Sequence, residues 1–367
     1  LSIGFSDTTE RRIASLDLLR GLAAFSVAIA HFLIYQNTAA GTAETISIIA
    51  VEVFFVLSGF VLAPQIVMCA QPGNHRMIGT FLVRRWMRTI PPFLLALACI
   101  SVMAADVRPA DVIRYAFYVQ NLFSQANHHD FYPVAWSLAV EEWFYVVFPL
   151  ILIGIVTVWG RANERDLVAF AIAFIVIVSC LRMFQGSPDH WGQSIRRIVA
   201  FRIDSIAVGF LLWLVLRHRP DAPRPSLVRA VAMFLSFAFA FYVTAQIPAG
   251  GTLAPALFPL AAALVGSTMI AFFITLEGPV RRSAATVTFF IYLGRISYSV
   301  YLFHLVVLMA LPPTIPMHLV MYLSILTALT TALYWFYERP ILAARPKYGS
   351  VAVPEARANE ASNQSIP

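Results

Sequence analysis

Lysine is almost missing from this 367-residue chain: Lys347 stands alone, and the rest of the 26 basic residues are arginines. Charge of either sign is scarce too, at 12% of residues, about half the share of an ordinary soluble domain. With 59% hydrophobic residues and a mean hydropathy of +0.75, this scarcity excludes a water-soluble fold. Lipid must solvate most of the apolar side chains. Cysteine is rare as well. Cys69, Cys99 and Cys180 are odd in number, sit in or beside apolar runs and match no metal-ligand spacing. They argue against a disulfide framework, leave no metal to expect, and read as small packing residues. Nor does the chain carry an internal repeat of the kind that builds many transporters.

The net charge of +7 raises the question of a nucleic-acid partner. The arginines, however, fall in short clusters between apolar runs, the pattern that holds loops in the cytoplasm. Membrane lipid, and no nucleic acid, is the expected partner. The first apolar run follows Arg11, Arg12 and Arg20 but lacks a small-residue cleavage site, so it reads as a retained helix.

A spanning helix needs about 20 mostly apolar residues. That ruler predicts helices near 16–36, 45–69, 82–105, 136–158, 166–185, 198–217, 228–247, 254–276, 288–311 and 316–337. The fold class is therefore an all-α integral membrane protein, a bundle of about ten transmembrane helices. The stretch 106–135 is too polar to span; it holds Tyr115 to Tyr118 and His128-His129-Asp130 and is expected to fold over the membrane surface. One transmembrane domain is expected over 1–342. Residues 343–367 turn polar and are expected to form a disordered cytoplasmic tail, with no second, soluble domain.

Orientation follows from the arginines. The N-terminus, 70–88, 159–165, 217–229, 279–295 and the C-terminus hold about twenty of the Lys and Arg residues, and the alternate loops about six. The positive-inside rule then puts both termini in the cytoplasm.

Ionisable groups inside spans cost several kcal/mol unless paired or wetted, so each one is a functional candidate. The first helix holds Asp17, Arg20 and His31. Eleven residues bring His31 back to the face of Arg20, about 16 Å away along the axis. His31, Glu52, Glu141, Arg202 and Asp204 are expected at similar depth in the outer half, with Ser137, Glu142, Tyr298 and His304 at related levels. Together they suggest a polar chamber, although Arg202 and Asp204 read equally as a structural ion pair. At the other face, Arg85 and Arg88 lie three apart on one side of a helix, a spacing that suits phosphate and also suits plain anchoring.

Several segments, in order, resemble the acyltransferase-3 family of bacterial membrane O-acyltransferases. They are Leu16-Asp-Leu-Leu-Arg20 with His31, Phe54-Phe-Val-Leu-Ser-Gly-Phe60, Arg85-Trp-Met-Arg88, and Trp136-Ser-Leu-Ala-Val-Glu-Glu-Trp-Phe-Tyr145. Arg202-Ile-Asp204 with Gly209, Ile296-Ser-Tyr-Ser-Val-Tyr-Leu-Phe-His304 and Glu338-Arg-Pro340 complete the set. The resemblance implies transfer of an acyl group, usually acetyl from acetyl-CoA, to a hydroxyl of an extracytoplasmic or lipid-linked glycan such as lipopolysaccharide or another polysaccharide. It implies a bacterial inner-membrane location and polysaccharide-synthesis partners. It also implies an essential Arg20 and His31, and a donor role for Arg85 and Arg88. Some family members carry a soluble esterase-like domain after the last span, which is not expected here.

On this reading acyl-CoA docks from the cytoplasm on Arg85 and Arg88, with Arg84 or Arg20 as further candidates. His31 is the general base and Glu141 orients its ring. Direct transfer and a relay through His31 or a Ser or Tyr such as Tyr298 both remain open. A transporter or exporter is the alternative function, since a polar chamber also suits a glycan path.

Overall fold

The computed structural model describes residues 12–38, 40–124, 130–160, 162–184, 192–217, 227–246, 254–311 and 318–348. His128 and His129 lie outside the described residues. Among the described residues every regular element is helical. The long helices are α1 (Ala14–Tyr35), α2 (Ala40–Ala70), α3 (Met77–Met103), α5 (Ala135–Trp159), α6 (Glu164–Phe184), α7 (Asp204–Leu216), α8 (Leu227–Gln246), α9 (Ala254–Val280), α10 (Ala284–Ala310) and α11 (Leu319–Leu333). Two short helices, α4 (Pro109–Ala116) and α12 (Arg339–Ala343), complete the set. Nine helical segments among the described residues are long and apolar enough to cross a membrane. The tenth expected span corresponds to α8, where the apolar stretch is Leu227–Val243.

Helix α1 runs through the middle of the bundle, packing on α2, α9 and α10, while α2 also packs closely on α7. In a bilayer no hydrophobic force pulls helices together, so close packing of small residues must do it. Gly59 on α2 and Gly209 on α7 face each other. A Cβ on Gly59 would overlap the Ile206 carbonyl, and one on Gly209 the Val56 carbonyl. Where α1 packs on α10, Gly294 leaves room for the Asp17 side chain.

The start of α1 is held from outside its own sequence. The amides of Ala14 and Ser15 donate to the Glu277 carboxylate of α9, at 3.2 and 2.9 Å. A carboxylate there satisfies first-turn N–H groups and complements the helix dipole. Arg281 donates to the Arg12 carbonyl at 2.8 Å and closes the corner. The beginnings of α1 and α3, the end of α9 and the segment after α11 thus meet at one end of the bundle.

At the opposite end, the described parts of the connection between α3 and α5 pack on the helices. The Tyr115 hydroxyl donates to Asp130 at 2.6 Å, and Asp130 pairs with Arg197. Trp143 of α5 donates to the Tyr118 carbonyl at 2.9 Å, and Asn121 accepts from the amide of Val199 at 2.9 Å.

Candidate functional site

The polar residues expected to share one chamber divide between two cavities and a set of buried pairs. The larger cavity, of about 950 Å³, reaches in from the arginine-rich end. Asp17, Arg20, Arg85, Arg88, Ser137, Glu141 and Tyr298 all line it. Its volume lies near the top of the range for small-molecule sites. The smaller cavity, of about 330 Å³, opens at the other end and is lined by His31, Glu44, Ser47, Trp136, Arg196 and Arg197. Val51 and Tyr301 line both and form the partition between them.

Helix spacing explains the arginine face. Arg85 and Arg88 lie a turn apart at the start of α3, and Arg84 is their neighbour. Arg85 donates to Gln65 at 2.7 Å, and Arg84 to the Pro346 carbonyl at 2.6 Å. Arg88 makes no hydrogen bond or ion pair among the described residues, although its charge is felt by Arg20, Glu141 and Glu338. Arg20 lies 3.8 Å from Asp17, which also pairs with Arg12. Arg345 lines the same cavity. Burial, and then the like charges of Arg88, Arg84 and Arg85, lower its guanidinium to about 10, so it stays charged at neutral pH. Cations gathered this densely, Arg88 among them, suit a multiply charged anion such as a phosphate ester.

At the inner limit of the large cavity stands a hydroxyl pair. Ser137 and Tyr301 lie 2.5 Å apart, one hydroxyl donating to the other, and both oxygens lie 3.1 Å from the Val134 carbonyl. Across the partition, His31 Nδ1 lies 2.9 Å from the Val27 carbonyl. That contact fixes Nδ1 as the protonated nitrogen and leaves Nε2 as the basic one. Behind it stands His304, fully buried, with ring centroids 4.9 Å apart and its Nδ1 2.7 Å from the Tyr301 carbonyl. In the smaller cavity Arg196 lies over the Trp136 ring at 5.5 Å and 3.8 Å from Glu44. Burial, and then Arg197, lower Arg196 to about 10 against the pull of Glu44.

A family model described as an acyltransferase domain matches residues 13–339, nearly the whole chain. The chain belongs to the acyltransferase-3 family. Peptidoglycan O-acetyltransferase OatA of Listeria monocytogenes is 24% identical over 327 residues, covering 81% of this chain and 49% of that protein. A putative O-acetyltransferase of Staphylococcus aureus is 24% identical over 232 residues, 58% of this chain and 37% of the relative. A putative peptidoglycan O-acetyltransferase, YrhL of Bacillus subtilis, is 30% identical over 191 residues, 47% of this chain and 28% of the relative. This chain therefore spans less than half the length of these relatives. No solved structure matches it.

In this acyltransferase-3 chain several expected chamber residues line neither cavity. Glu52 and Arg202 pair with each other, both wholly buried. Asp204 pairs with Arg182 at 2.7 and 2.8 Å, and Arg182 also donates to the Phe201 carbonyl. The expected grouping of Arg202 with Asp204 is thus corrected: each is in a structural ion pair, but with another helix. Such pairs form because an uncompensated charge in the bilayer costs more than an ion pair does.

Glu142 is also corrected. Next to Glu141 on α5, it points about 100° away, into the buried contact with Thr89 of α3. Glu141 itself does not meet His31. It accepts from Ser58 at 2.5 Å and faces the arginines, because six residues of rise carry it about 9 Å in from the start of α5.

Sequence reasoning passed over Tyr301, Arg345, Arg196, Arg197 and Arg182. Tyr301 had a signal, since it stands one turn before His304 on the same face of α10. Arg182 had one too, as an arginine in an otherwise apolar run. The other three needed the three-dimensional arrangement.

Proposed function

We propose that this protein is a multi-pass O-acyltransferase of the bacterial inner membrane. It transfers an acetyl group from cytoplasmic acetyl-CoA to a hydroxyl of an extracytoplasmic or lipid-linked glycan. The observation that carries this reading is the pair of cavities, entered from opposite ends and meeting at Tyr301. One is rich in arginine and the other holds a histidine. The names of the relatives, peptidoglycan O-acetyltransferases among them, support acetyl as the group and a glycan as the acceptor.

The donor's phosphates stay near the aqueous end, on Arg85 and Arg88 with Arg84 and Arg20 near by, where their desolvation costs least. The narrow thioester arm runs inward toward Ser137 and Tyr301. An acceptor hydroxyl enters from the other end and gives its proton to His31 Nε2, since a sugar hydroxyl is a poor nucleophile unaided. Its oxygen forms a bond to the acyl carbon, the carbon–sulfur bond breaks, and the proton is returned to the CoA thiolate. Glu141, bonded to Ser58 among the arginines, balances charge on the donor side and does not orient His31. The partition at Tyr301 favours passage of a small acyl group over passage of a whole glycan, which weighs against a transporter.

The test is release of free CoA thiol from acetyl-CoA by purified protein, with and without membrane glycan extract, beside the His31→Ala variant. Release that requires both the extract and His31 is expected. Folded protein that consumes none of several acyl-CoAs would overturn the reading.

A further inference from the structure

The arginines at the start of α3 meet the chain's last described residues. After α12 the backbone turns, and Ala344–Tyr348 lies against the start of α3. Three contacts hold it there. Arg84 donates to the Pro346 carbonyl at 2.6 Å, the Arg84 guanidinium lies over the Tyr348 ring at 5.0 Å, and the Tyr348 hydroxyl donates to Gln65 at 3.1 Å. Gln65 is also the acceptor for Arg85, so one buried amide ties the segment to the arginine pair. Within this segment Arg345 lines the cavity. Its Nε donates to the Leu342 carbonyl at 3.2 Å, which fixes the guanidinium plane. Neither terminal nitrogen makes a hydrogen bond among the described residues. A guanidinium held by Nε alone, beside three other arginines and with no carboxylate paired to it, is set to receive phosphate oxygens.

We infer that Ala344–Tyr348 is a wall of the donor site and that Arg345 binds the phosphates of the donor's nucleotide end. This inference rests on the acyl-CoA reading above and extends it to a segment beyond the last spanning helix. Arg345 is a binding residue on this account. It acts on donor capture and plays no part at the thioester.

The experiment is titration of the full chain in nanodiscs with CoA, for the wild type, R345Q and R345K. Loss of hydrogen bonds to a charged group predicts about tenfold weaker CoA binding by R345Q. R345K keeps the charge but loses the fork, so an intermediate affinity is expected. S-acetylpantetheine lacks the nucleotide and its phosphates, and R345Q should use it as well as the wild type does. CoA affinity of R345Q within about twofold of wild type would overturn the inference. So would an equal loss toward acetyl-CoA and S-acetylpantetheine, which would mark a packing role. If wild-type protein binds no CoA at all, the donor reading itself falls, and this extension with it.

Discussion

Glu52 and Arg202 allow a sharp separation of structure from chemistry. Both side chains are wholly buried and both lie within the stretch matched by the family model, so loss of activity in a single variant would invite a catalytic interpretation. Their geometry argues otherwise, since neither lines either of the two cavities described above. Removing one partner of a buried pair costs about 3–5 kcal/mol, because the other charge is left without compensation. Against a total stability of about 5–15 kcal/mol, that is enough to unfold much of the population. Glu52→Leu and Arg202→Met, made singly, should therefore lower the melting temperature sharply and reduce the yield of monodisperse protein.

The double replacement Glu52→Leu with Arg202→Met removes both charges together. Replacing a buried ion pair by apolar residues of similar volume is commonly neutral or stabilising by about 1–4 kcal/mol. Each single variant should thus be worse than the double, a coupling that a double-mutant cycle reads directly. The assays are thermal unfolding followed by tryptophan fluorescence in one detergent, and CoA release per folded molecule. Near-wild-type melting and turnover in the double variant are expected. A double variant that folds normally but releases no CoA would refute the structural assignment and return the pair to the reaction.

Three further outcomes follow from the two cavities. His31→Ala should lower transfer by at least about a hundredfold, the usual span for a positioned general base, while leaving the amount of inserted protein unchanged; activity assays on membranes with matched protein levels check it. Arg88→Gln should raise the KM for acetyl-CoA about tenfold and leave that for the acceptor unchanged, since Arg88 makes no hydrogen bond among the described residues; initial rates over both substrates read the difference. Tyr301→Ala should open the partition, so that CoA release without acceptor rises while transfer to glycan falls; thiol release and labelled-acetyl transfer are measured side by side.

The helices were legible because the bilayer imposes so strict a length on an apolar run. Nine segments meet that length among the described residues, and α8 forms where the remaining span was expected. The grouping of ends was legible as well. Arg12 meets Arg281, and Arg84 meets Pro346, all in segments that the distribution of arginine assigns to one side. What sequence depth alone could not supply was direction around each helix axis and the identity of partners. Glu141 and Glu142 are adjacent in sequence, yet only Glu141 faces the large cavity. Arg202 and Asp204 are two residues apart, yet one pairs with α2 and the other with α6. Depth is set by counting residues along one helix. Pairing is set by which neighbour the small residues, such as Gly59 and Gly209, let approach.

The same turn of α10 governs both the closure between the cavities and the aim of the histidine. The Tyr301 side chain is held against α5 by Ser137 and by the Val134 carbonyl. Its backbone carbonyl faces His304 Nδ1, and the His304 ring supports that of His31. The Tyr322 hydroxyl of α11 donates to the carbonyls of Ala28 and His304, tying α1 to α10 one turn from His31. A shift at Tyr301 large enough to join the cavities therefore also releases the support behind His31. An acceptor that wedges between Trp136 and Tyr301 would couple its own arrival to passage of the acyl group. On the proposed function, the partition would keep water in the smaller cavity from the donor's thioester until the acceptor arrives, which two cavities allow and one open chamber does not.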